Sequence, residues 1–203
     1  MSAVGNAFVA GIGRPDPPAP NGLTFPEPFD DMWWRDVHGE IGSGWYLDRF
    51  LYLFGEGLEA FLPCLEAWSF LLGPEGERMI VGRNAYGALL VAEEPSERGV
   101  AAPIGVLDPL NVRYWANPDV AFGNLIGNWL PTRALPDFFD TSLYMAWREV
   151  TGDVLELSDA LVMKQPKPLG GRMEAANFQI EDLVDYYRTT GPIYARALGE
   201  GGG

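Results

Sequence analysis

Cysteine and histidine are all but missing from this chain: Cys64 and His38 each stand alone. A single cysteine permits no internal disulfide, which suits a reducing compartment. One residue of each kind cannot supply the usual tetrahedral His/Cys set of a zinc site. A serine or cysteine nucleophile would have only His38 as its base, and a lone histidine beside Gly39 reads as a surface or structural residue. Lysine is scarce too, represented by Lys164 and Lys167 alone, and 28 acidic residues stand against 14 basic ones for a net charge of −14. Such a surface repels phosphates, which disfavours direct DNA or RNA binding, and it speeds encounters with a basic partner. No apolar run approaches the roughly 18 residues of a membrane helix. The opening residues carry no Lys or Arg ahead of a hydrophobic segment, so no secretory signal is expected and a cytoplasmic location follows.

What is present is ample apolar material, 47% of 203 residues, enough to bury a real core. The chain is organised around Met79 to Ala92, where two apolar runs flank Gly82-Arg-Asn-Ala-Tyr-Gly87 and predict paired strands joined by a turn. The part ahead of them reads as helical and aromatic. Residues 1–28 are rich in Gly and Pro and predict a loop or extended arm laid over the body; the Gly-x-Gly at Gly11 is followed by prolines and is no phosphate loop. A short helix is expected from Phe29 to Val37, and Arg49 to Phe54 is either a strand or a helical turn. Leu58, Phe61, Leu62, Leu65 and Leu72 recur at helical spacing over 57–72, with Pro63 as a kink.

Beyond the central hairpin, Ile104 to Asp108 predicts a strand. Asn117-Pro-Asp predicts the start of a helix that runs to Trp129 and stops at Pro131. Thr141 predicts the cap of another helix, closed by Thr151-Gly152. A strand is expected around Met173 to Phe178, and then a helical segment containing Ile180, Leu183 and Tyr187, interrupted at Gly191-Pro192. The expected architecture is α+β: an arm at 1–28, a small helical and aromatic part at 29–75, and a larger α+β domain at 76–203 with an antiparallel central sheet.

Carboxylates are the remaining chemical resource. Clusters at Asp30/Asp31, Glu93/Glu94/Glu97 and Asp137/Asp140 stand out, with others at 153–159 and 181–185. The EF-hand spacing is absent, and sequence separation does not fix the spatial separation that a carboxylate hydrolase needs. These clusters read as solvated faces or as docking points for a basic partner.

The segment Leu65-Glu-Ala-Trp68, followed by Ile80-Val-Gly-Arg-Asn-Ala-Tyr-Gly-Ala-Leu-Leu-Val91, resembles the junction in bacterial proteins that join a GAD-like domain to a Tdi-type immunity domain. The helix expected from Asn117 to Trp129, Thr151-Gly152, Pro168-Leu-Gly-Gly171 and a terminal helix beginning near Ile180 resemble later parts of the same family. Such proteins neutralise nuclease toxins delivered by type VI secretion. The resemblance implies a non-enzymatic protein without metal or cofactor, whose partner is a cognate basic nuclease and which touches neither nucleic acid nor membrane. Contacts are expected from Asp30, Asp31, Glu93, Glu94, Glu97, Asp137 and Asp140 around an aromatic anchor, Trp34. Two other readings stay open: a metal-dependent carboxylate hydrolase, and a scaffold module of the same fold without a toxin partner.

Overall fold

In the computed structural model, which describes residues 1–22, 32–73, 76–94, 102–167 and 170–200, the central hairpin lies inside a six-stranded antiparallel sheet of order β1-β2-β3-β4-β5-β6. The strands are β1 (Gly44–Tyr46), β2 (Leu51–Leu53), β3 (Arg78–Asn84), β4 (Leu89–Glu93), β5 (Pro103–Asp108) and β6 (Arg113–Ala121). A second sheet pairs β7 (Asp159–Met163) with β8 (Phe178–Asp182). The fold is α+β, as expected. The boundary expected between residues 75 and 76 falls within the large sheet, since β2 and β3 on either side of it are hydrogen-bonded neighbours.

The β3–β4 turn is set by Asn84 and Gly87. The Asn84 side-chain oxygen accepts from the Tyr86 and Ala88 amides at 3.0 Å each, and Gly87 takes φ +78°, a left-handed conformation that costs glycine little. The strands are longer than the apolar runs suggest, because Gly82, Arg83 and Asn84 still pair with β2.

Helices α1 (Ala3–Gly11) and α2 (Met32–Ile41) precede the sheet. Helix α1 corrects the reading of residues 1–28 as arm throughout. The prolines begin only at Pro15, Ser2 caps the Gly5 amide at 3.0 Å, and Phe8 is fully buried. Among the described residues an extended segment follows it: Pro17 to Ala19 run along the outer edge of β1, with Trp45 N donating to Pro17 O at 3.1 Å and Ala19 N to Ser43 O at 2.9 Å. A proline-rich cover of this kind protects an edge from pairing with other chains.

Residues 58–72 coil as expected but in three pieces: a 3-10 turn at Leu58–Phe61, then α3 (Leu62–Ala67) and α4 (Ser69–Leu72). Leu62 is exposed, off the buried stripe of Leu58, Phe61, Leu65, Trp68 and Leu72. Trp68 is the hub, packed on the rings of Tyr187 and Tyr194 and donating its indole N–H to Tyr187 O at 3.1 Å.

Three expectations in the second half are corrected. Asn117 begins no helix: it pairs with Ile104, and β6 continues to Ala121 opposite Pro103. Proline is tolerated there because β6 is the last strand of the sheet. Coiling starts at α5 (Phe122–Asn124), continues through a π-turn at Leu125–Trp129 and ends in α6 (Leu130–Thr132), with Arg133 left-handed. The strand expected near Met173 is β8, displaced to Phe178–Asp182, so Ile180 is a strand residue. The last helix, α8 (Leu183–Glu200), runs unbroken through Gly191-Pro192. Packing overrides the proline here: a Cβ on Gly191 would lie 2.2 Å from Ala67 O, so the missing side chain is what lets α8 approach α3. Helix α7 (Ser142–Thr151) matches the expectation, with left-handed Gly152 closing it.

Candidate binding site

A concavity lies where the β5–β6 hairpin meets the loop between α6 and α7. Asp108 ends β5 and organises the turn: its Oδ1 accepts from the Leu110 and Asn111 amides at 3.1 and 3.2 Å, and its Oδ2 accepts from Asn111 Nδ2 at 2.7 Å. The same Oδ2 accepts from Arg113 Nε at 3.2 Å, while Arg113 Nη2 reaches across to Asp137 Oδ2 at 2.7 Å. The hydrogen bond to Asp137 is the main cause that holds the Arg113 guanidinium above its ordinary pKa. The opposite wall is fixed by Asn84, whose Nδ2 donates to Phe138 O at 3.0 Å.

These contacts enclose a cavity of about 180 Å³ with walls that include Val106, Leu110, Leu135 and Phe138. Asp137 and Arg113 stand at its rim, 68% and 51% exposed. Trp115 lines it as well and stacks on Trp129, with ring centroids 5.3 Å apart and planes at 25°. The volume suits one side chain or one small ring, well under the roughly 300 Å³ at which drug-sized ligand sites begin.

Asp137 is thus part of a built site. Asp140 is nearby in sequence but serves as a helix cap, its Oδ1 accepting from Ser142 N at 3.0 Å in place of the cap expected from Thr141. Glu93 is engaged elsewhere: its Oε1 accepts from Tyr114 O–H at 2.7 Å and lies 3.5 Å from Arg78 Nε. Burial, with the Glu93 bond adding to it, raises the Tyr114 hydroxyl far above its usual pKa. Arg113 and Trp115 line the cavity while Tyr114 between them meets Glu93, so strand alternation places Glu93 and Asp137 on opposite faces of the sheet. Glu94 is exposed and its carboxylate accepts from Glu77 N at 3.3 Å. Asp30, Asp31 and Glu97 lie outside the described residues, and Trp34 belongs to α2 without its side chain being among those described.

Sequence reasoning missed Asp108, Arg113 and Trp115. The signal was there in Asp108-Pro-Leu-Asn111, an Asx-type turn that closes a hairpin and would have extended the strand reading to Trp115.

The candidate nucleophiles are held in structural settings. His38 Nε2 lies 2.6 Å from Ser43 Oγ, but Ser43 is 3% exposed beside the arm, and burial lowers the His38 pKa. Cys64 is buried, which pushes its thiol up to about 12. Among the described residues no three His, Cys, Asp or Glu side chains are grouped to hold a metal ion, and no helix is long and apolar enough to cross a membrane.

No family model matches the chain and no curated protein matches it. Among solved structures it is similar to Atu4351 from Agrobacterium tumefaciens, at a TM-score of 0.59 and 13% identity, with 91% of this chain and 87% of that one covered. At that identity the likeness is one of fold. It extends over nearly the whole chain.

Proposed function

We propose that the chain is a cytoplasmic immunity protein of the Tdi type, which binds a cognate basic nuclease toxin stoichiometrically and blocks its active site or nucleic-acid groove. The observation that carries this reading is the excess of carboxylates. There are 28 acidic residues against 14 basic ones, and Glu94, Asp137 and Asp140 face solvent while one of the cations, Arg83, is wholly buried. With a net charge of −14, the field met by an approaching protein is negative. A nuclease must present a basic groove to hold phosphates, and an acidic surface competes for that groove without any chemical step.

Co-expression with the product of the neighbouring gene tests the reading. A complex is expected to co-purify, with an association rate that falls steeply as salt rises from 50 to 500 mM, several-fold for a steered encounter. Failure of the two proteins to associate at any ionic strength removes the proposal.

A further inference from the structure

We propose that the cavity beneath the β5–β6 hairpin receives one arginine side chain of the basic protein partner. This inference rests on reading the chain as a binder of a basic protein and names where, and through which side chain, that partner is anchored.

Asp108 takes four hydrogen bonds, from the Leu110 and Asn111 amides, Asn111 Nδ2 and Arg113 Nε, so its carboxylate has no room for another donor. Asp137 takes one, from Arg113 through Oδ2, and its Oδ1 has no partner among the described residues. Two carboxylates flank one guanidinium, leaving the group with an excess negative charge, and the free share of it lies on Asp137 at the rim. The Arg113–Asp137 pair is exposed and hence weak, and Arg113 keeps its hold on Asp108 if Asp137 turns to a second cation.

The walls select the rest of the occupant. Val106, Leu110, Leu135 and Phe138 offer apolar surface against which a three-carbon stem can lie as its guanidinium reaches Asp137. Trp115, on the same wall and 37% exposed, presents an indole beside that rim, where a planar, weakly hydrated guanidinium is favoured over an ammonium. An anion would have to displace Asp137 from Arg113; a purely apolar group would leave Asp137 Oδ1 unused. The surrounding acidity attracts a cationic chain to this face first, and the cavity then fixes its register.

The test uses the intact protein and the blocked single residues N-acetyl-arginine, -lysine, -leucine and -aspartate methylamide. The indole N–H of Trp115 is followed by ¹⁵N–¹H NMR and assigned by its loss in Trp115→Phe. A saturable shift is expected with the arginine compound, bound roughly three- to tenfold more weakly by Asp137→Asn and unchanged in Glu66→Gln, an exposed acid on α3. An equal response to the leucine compound, a preference for the aspartate compound, or no shift at all overturns the proposal. Its failure is separable from that of the immunity reading. A complex with the neighbouring gene's product that forms undiminished with Asp137→Asn removes the arginine anchor and keeps the antidote. Arginine binding without any such complex removes the antidote.

Discussion

The guanidinium of Arg83 donates to the backbone carbonyl of Asp159, while the carboxylate of Asp159 turns away to accept from Glu156 N at 2.9 Å. A second bond runs from Arg83 Nη2 to Glu156 O at 3.1 Å, and the cation lies over the rings of Trp45 and Phe61 at 5.2 and 5.7 Å. A fully buried charge is thus held by carbonyl dipoles and aromatic faces, and burial lowers its pKa to about 10. Arg83 ties the large sheet to the loop that leads into β7, a link reinforced by Leu161 N donating to Ala85 O at 2.8 Å.

Arg83→Met is therefore expected to leave two part-buried carbonyls without their donors and to destabilise the protein by about 1–3 kcal/mol. Arg83→Lys restores the charge but not the planar fork and recovers only part of the loss. Urea unfolding of the three proteins checks the order; a lysine variant as stable as the original would show that the fork geometry is unimportant.

The arm and α2 carry a pH dependence through His38. Burial lowers its folded pKa below the ordinary 6.5. As pH falls through 6.5, the unfolded chain takes up a proton that the folded chain resists, so stability drops between 6.5 and the lowered folded value and is level again below it. His38→Gln should flatten that part of the curve. Urea midpoints at pH 7.5, 6.5 and 5.5 measure it, and an unchanged slope in the variant would assign the effect to other groups.

Gly191→Ala is expected to force α8 away from α3, because the new methyl would meet the carbonyl of Ala67. A loss of about 1–3 kcal/mol follows from such overpacking. A neutral result would mean that the two helices slide apart at no cost.

The two acids best placed to be confused, Glu93 and Asp137, should separate cleanly. Glu93→Gln weakens a bond that holds Tyr114 and Arg78, and its effect belongs in thermal stability, about 1 kcal/mol, with partner binding untouched. Asp137→Asn should do the reverse. Paired melting and binding curves decide it, and loss of partner affinity on changing Glu93 would return that residue to the interface.

Much of the fold was legible where local chemistry and packing agree. The β3–β4 hairpin follows from apolar runs around Asn84 and Gly87, and α7 from its Gly152 stop. Legibility failed where a long-range partner overrides the local signal. Asn117-Pro-Asp is a good helix start in isolation, yet β5 supplies a ladder that extends β6 through it. Gly191-Pro192 is a good helix stop, yet the groove against Ala67 needs that glycine and the helix continues. For the site, acidity pointed to Asp137 but equally to Glu93 and Asp140. Only the side-chain bonds distinguish an acid at the rim of a cavity from one locked to a tyrosine and one capping a helix. Trp115 escaped notice because its role depends on strand alternation and on Trp129 across the π-turn.

The most direct test of the whole account is a titration of nuclease activity. The product of the neighbouring gene, held at fixed concentration well above the expected dissociation constant, is mixed with increasing amounts of this protein and its DNA cleavage is measured. The account predicts a linear loss of cleavage that reaches zero at one equivalent. Undiminished cleavage in excess protein, or inactivation by a small fraction of an equivalent, would contradict it, the latter by revealing a catalyst where a stoichiometric antidote is proposed.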